Sequence, residues 1–193
     1  MSTWQTLLRC CAAPTTHRWL GLLPLAALSW AAYDYWRGDK LENLLWVCDV
    51  ANLMLAIGLI SAWPTLRRTA TVLVLFGTPL WIWELTVGSA CSIHSVATHV
   101  GSALVGVVTW REAVRQRPCW KWCTVTFVLT FLATRMWTPP GANVNVAFAV
   151  HPGVASLFTS FPLYTVTNLL LGSLAAFGLE KGLIKTLPDR TPL

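Results

Sequence analysis

The chain has 193 residues, of which 55% are hydrophobic and 11% charged, and carries a formal charge of +6. Soluble domains hold about 25% charged residues, so these proportions exclude an ordinary soluble domain and describe a single integral membrane domain. The basic residues form short clusters beside apolar runs, which argues against a nucleic-acid surface and fits topology signals.

Hydropathy predicts an all-α fold, a six-helix membrane bundle with spans at about 19–36, 43–63, 69–87, 92–110, 120–137 and 163–179. The first span reads alternatively as a signal sequence, with small residues at Ala31 and Ala32, whose removal leaves five spans; against this, the polar stretch before it is long and no clean cleavage site follows. Arg9 and Arg18 precede the first span, Arg67 and Arg68 the third, and Arg111, Arg115, Arg117 and Lys121 the fifth. Lys181, Lys185 and Arg190 follow the last. The other connections hold only Arg37 and Lys40, offset by Asp34, Asp39 and Glu42. Positive residues favour the cytoplasm, so both termini are expected there, in what reads as a bacterial inner membrane. Many of the 12 tryptophans sit near the span ends, where interfacial anchoring accounts for them. The six cysteines form no zinc spacing and read as small apolar residues.

Against this background the ionisable residues inside the spans stand out, because a charge in hydrocarbon costs at least ~2.5–3.5 kcal/mol. With this topology Asp49, Glu84, His94, His99 and Arg135 all lie towards the outer side. Asn52 shares a helix face with Asp49, and Ser95 shares one with His99. Simpler roles compete. Arg135 and Glu84 can snorkel to the interface, Asp49 can pair with Arg135 or a histidine, and Ser95 and Thr98 can serve helix packing. The connection over 138–162 is long, uncharged and rich in Val, Ala and Phe, and reads as a lid or an interfacial plug. Its Asn143, Asn145 and His151 are placed to face the polar cluster from above.

Three kinds of function suit such a site. In acyl chemistry on membrane lipids, His99 is the base, Asp49 orients it, and Ser95 is the nucleophile, with Thr98 as its alternative. Asn52, Asn143, Asn145 and Arg135 then bind substrate or its oxyanion. In a metal or redox site, His94, His99, His151, Asp49 and Glu84 supply ligands for zinc, iron or copper. The third kind has no chemistry at all: a lipid-binding or solute-carrying bundle, or a subunit of a larger membrane complex.

A family likeness weighs on the choice. The run WVCDVANL at 46–53, SIHSVATH at 92–99 and the Asn143/Asn145 pair resemble a widespread group of uncharacterised bacterial multipass proteins. More remotely the layout is similar to YwaF-like proteins and to the androgen-dependent membrane hydrolases that cleave fatty acid esters. That resemblance implies a hydroxyl or thiol on one helix and a histidine, His99 or His94, on another. The nucleophile position of those hydrolases is occupied here by Cys48 or Asp49. On these grounds the expected function is a lipid ester hydrolase or acyltransferase.

Overall fold

A computed structural model describes residues 15–86, 91–110 and 118–186. Among these the chain is helical, without strands. After a 3-10 turn at Thr15–Gly21 come α1 (Leu22–Arg37), α2 (Val47–Ile60) and α3 (Pro64–Thr86). They are followed by α4 (Ile93–Trp110), α5 (Trp120–Trp137) and α6 (Phe161–Thr186). Three of these helices, α3, α4 and α6, are long and apolar enough to cross a membrane, and α2 is a shorter apolar helix. Large apolar side chains are exposed on every helix, among them Trp30, Ile57, Leu80, Leu104, Leu129 and Leu170. A surface of that kind is one that lipid, rather than water, covers.

The third helix is the hub, packing on α2, α4, α5 and α6, while α1 packs on α2 and on α4. Small residues set the close crossings. A Cβ on Gly58 would stand 2.7 Å from the Arg67 backbone nitrogen, and one on Gly106 would stand 2.9 Å from the Thr71 side chain. Leu55, Leu59, Ala70 and Val105 fill one core cluster, and Val72, Leu73, Val74, Trp110 and Ala176 lie in another.

Two expectations are corrected. The span expected from residue 69 begins at Pro64, so Arg67 and Arg68 belong to α3 rather than to a loop, and they are 4% and 3% exposed. The reason lies in α4: the Arg68 guanidinium sits 4.3 Å from the Trp110 ring centre, a cation–π contact that holds a charge against apolar surface. The span expected from residue 43 begins as a 3-10 turn, Leu41–Leu45, and becomes α-helix only at Val47. Arg9, Arg111, Arg115, Arg117 and Arg190, on which much of the charge asymmetry rests, lie outside the described residues.

The 138–162 connection is a chain of 3-10 turns, Pro140–Ala142, Val144–Val146 and Pro152–Leu157. It caps the end of the bundle at which α1 finishes and α2 starts, called the upper end below. Its Val144 and Ala147 are fully buried against the bundle.

Candidate active site

The upper end of α4 starts with the sequence Ser-Ile-His-Ser at 92–95. Ser92 takes an extended backbone and its hydroxyl oxygen accepts the Ser95 N–H at 3.2 Å, the usual job of a serine at a helix start. The same oxygen lies 3.1 Å from His94 Nε2. On the far side of the ring, His94 Nδ1 lies 2.8 Å from Oδ2 of Asp34, which comes from the last turn of α1. A carboxylate only accepts, so Nδ1 carries the ring proton and Nε2 presents its lone pair to the Ser92 hydroxyl. Tyr35 packs edge-on against the imidazole, with ring centres 5.9 Å apart at 82°, and fixes its plane. The result is a hydroxyl, imidazole and carboxylate in line.

Below it lies a second polar layer with different bonding. Asp49 accepts from the Tyr35 hydroxyl at 3.4 Å. Fully buried Asn52 donates to the carbonyls of Cys48 at 2.7 Å and Thr98 at 3.2 Å, and its Oδ1 accepts from the Ser102 hydroxyl. The Thr98 carbonyl is available because Ala97–Gly101 forms a π-helical turn, in which the ladder widens by one residue. The His99 carbonyl is met by the Thr78 hydroxyl at 3.4 Å. His99 itself donates from Nδ1 to the Ser95 carbonyl at 2.9 Å and stacks on Trp81, with centres 4.8 Å apart and planes within 7°.

The expected relay of Ser95, His99 and Asp49 is therefore not assembled. His99 spends Nδ1 on a backbone carbonyl, Asp49 faces Tyr35, and Ser95 serves through its main chain at both N–H and C=O. Thr98, the alternative nucleophile, donates its hydroxyl to the His94 carbonyl at 2.8 Å. Asn52 lies in the buried layer and not on an open face.

The residues expected from the connection hold the fold. Asn145 accepts from Val47 N–H at 2.9 Å and donates to the Leu45 carbonyl at 2.6 Å and to Thr134 at 3.0 Å. Asn143 accepts from the N–H groups of Phe148 and Ala149, both at 2.9 Å. Arg135 donates to the Ala147 carbonyl at 2.8 Å and lies against Phe148 and Phe161. His151 Nδ1 accepts from Gly153 N–H, so its proton is on Nε2, which meets Glu84 at 2.8 Å. Trp83 packs on the same ring. The proposed ligands thus go to separate places: His94 to Asp34, His151 to Glu84, and His99 to Trp81. Among the described residues no three His, Cys, Asp or Glu groups gather as a metal site.

Asp34 and Ser92 are the functional candidates that sequence reasoning passed over. In the sequence Asp34 reads as one of the charges offsetting Arg37 and Lys40, yet it sits within one turn of the end of an apolar helix. A serine three residues before Ser95, at the start of an apolar run, is the signal for a helix start, and His94 falls inside that first turn. No family model matches this chain, and no curated protein or solved structure does.

Proposed function

We propose that this chain is a multipass membrane acyl hydrolase or acyltransferase acting on lipid esters, with Ser92 as nucleophile, His94 as base and Asp34 as orienter. All six helices cross the bilayer, both termini are cytoplasmic, and the upper end faces outward across a bacterial inner membrane. One observation carries the reading: the Ser92 hydroxyl at 3.1 Å and the Asp34 carboxylate at 2.8 Å bracket the two nitrogens of one imidazole. That is the arrangement that activates a hydroxyl in acyl transfer. The family likeness puts the histidine and the hydroxyl on different helices; here both come from α4, and the carboxylate comes from α1.

The steps follow from the geometry. Ser92 Oγ adds to the ester carbonyl carbon while its proton passes to His94 Nε2, and Asp34 stabilises the resulting imidazolium. The N–H groups of Ile93 and His94 open the helix without partners on a preceding turn and supply donors for the oxyanion. Collapse breaks the ester C–O bond, and His94 returns the proton to the departing alcohol. Water, or an acceptor hydroxyl or amine, then adds to the acyl-serine and gives its proton to His94. The second collapse returns that proton to Ser92 Oγ. Both His94 and Ser92 are half-buried, which leaves the pair open to an ester.

The test uses the intact chain in lipid nanodiscs. A small fluorophosphonate should label Ser92, as located by peptide mass spectrometry, and Ser92→Ala should abolish labelling and ester turnover together. His94→Gln and Asp34→Asn should each slow both by about 10²–10⁴-fold, whereas His99→Gln should leave the chemistry in place. Labelling that persists in Ser92→Ala, or that ignores His94→Gln, overturns the assignment. No labelling of the wild-type protein would leave a non-catalytic subunit of a membrane complex as the reading.

A further inference from the structure

Directly below the candidate triad, α1 and α4 part to leave a groove of about 320 Å³. On α1 its wall includes Leu23, Ala26 and Trp30, and on α4 it includes Ala97, Gly101 and Val105. Trp30 is four residues, about one turn, below Asp34, and Ala97 is three residues below His94, so the upper mouth of the groove adjoins the triad. From Ser92 to Val105 the helix descends ~20 Å at 1.5 Å per residue. A Cβ placed on Gly101 would meet nothing within 4 Å, so that wall has open space beside it. Beside the Trp30 indole, the polar side chain in the lining is Ser102, and its hydroxyl is turned to Asn52.

We infer that this groove is the acyl subsite: it takes one long hydrocarbon chain of the ester, with the carbonyl at Ser92 and the chain end beside Leu23 and Val105. The inference rests on the acyl-transfer reading and adds the substrate class, a long-chain rather than a short-chain acyl ester. An apolar wall offers a chain no hydrogen bonds to satisfy, and it opens beside the nucleophile where the ester must be. A polar headgroup, which needs several hydrogen-bond partners, does not find them along this mostly apolar depth. For an ester that reaches the groove from water, each methylene buried in it strengthens binding roughly fourfold.

Two measurements test it separately from the chemistry. Turnover of water-soluble esters of increasing acyl length by the wild-type protein should rise in kcat/KM by up to fourfold per methylene, through KM, until the groove is filled. Gly101→Leu, and independently Ala26→Leu from the opposite wall, should lower the long-to-short ratio of kcat/KM at least about tenfold. A long-chain lipid ester bearing a diazirine near its chain end should, on illumination, form adducts on α1 near Leu23 and on α4 near Val105, and fewer in either variant. That readout needs no turnover, so it stands if Ser92 proves inert. Adducts elsewhere on the bundle, or a length profile that neither variant changes, overturn the acyl subsite while leaving the triad untouched. Should the variants fail to assemble, the adduct map on the wild-type protein decides alone.

Discussion

Asn145 bonds through both ends of its amide, to the two flanks of the turn that starts α2 and to a threonine of α5. Its φ of 52° is a left-handed conformation that Asn tolerates better than most residues, which is one reason for an Asn there rather than a longer amide. Asn145→Ala leaves the Val47 N–H and the Leu45 carbonyl without this partner and should cost about 2–3 kcal/mol of stability. Reversible unfolding in mixed detergent would read the loss, and an unchanged midpoint would mean that these bonds contribute nothing. Asn145→Asp keeps the acceptor for the Val47 N–H but sets a carboxylate oxygen against the Leu45 carbonyl, so it should cost at least as much as Asn145→Ala. The residue was visible in the sequence and its role was not. An Asn beside an inferred pocket reads as a substrate donor until the backbone it serves has been located, and that backbone is about 100 residues away in the chain. Ser92 shows the opposite case. Its capping role is local and follows from the first turn of α4, but the Asp34 that completes the candidate relay is 58 positions earlier and reaches it only through the packing of α1 on α4.

Helix boundaries were legible wherever polar residues stop an apolar run in the ordinary way. The expected span at 120–137 coincides with α5, and that at 92–110 with α4 to within one residue. They were illegible where a charge is held inside the bundle, as with Arg67 and Arg68 in α3. Glu180 is a further instance. It is 3% exposed in α6, and its carboxylate oxygens accept the N–H groups of Cys119 at 2.8 Å and Trp120 at 3.2 Å. A negative group on two unpaired N–H donors at a helix start joins α6 to α5 and opposes the dipole of α5. Glu180→Ala should destabilise the pair by about 1–2 kcal/mol, and Glu180→Gln by less, since it keeps one acceptor. Hydrogen exchange at residues 119–122 should accelerate in step. Exchange that is unaltered in Glu180→Ala would mean that another group caps α5. The π-helical turn in α4 could not have been read from residue types, because what stabilises it is the meeting of Asn52 and Thr78 with its carbonyls, a property of three helices at once.

The proposed orientation of the bundle rests on the charge asymmetry and is open to direct labelling. Ser160 and Lys185 are exposed and lie on the connection before α6 and near the far end of α6. In a background with Cys10, Cys11, Cys48 and Cys91 replaced by Ala, Ser160→Cys should react with a membrane-impermeant maleimide in intact spheroplasts. Lys185→Cys should react only after the membrane is opened. Reaction of both in intact cells, or the reverse order, would overturn the cytoplasmic placement of the C-terminus. At this scale composition alone told most of the story, since exposed apolar side chains all around the helices are what 55% hydrophobic content and few charges produce in a chain of this length.

The wide turn at Ala97–Gly101 also sets the phase of α4. Each α-helical residue advances about 100° around the axis, so one extra residue in a single turn swings everything beyond it by roughly that angle. Above the turn His94 meets Asp34 of α1; below it Ser102 meets Asn52 of α2 and Gly106 fits against Thr71 of α3. In an unbroken α-helix, satisfying the upper contact would rotate Ser102 and Gly106 off their partners. The slipped register is thus what lets one helix keep two appointments, one at the candidate chemistry and one in the core, and the number of residues between His94 and Ser102 is fixed by both.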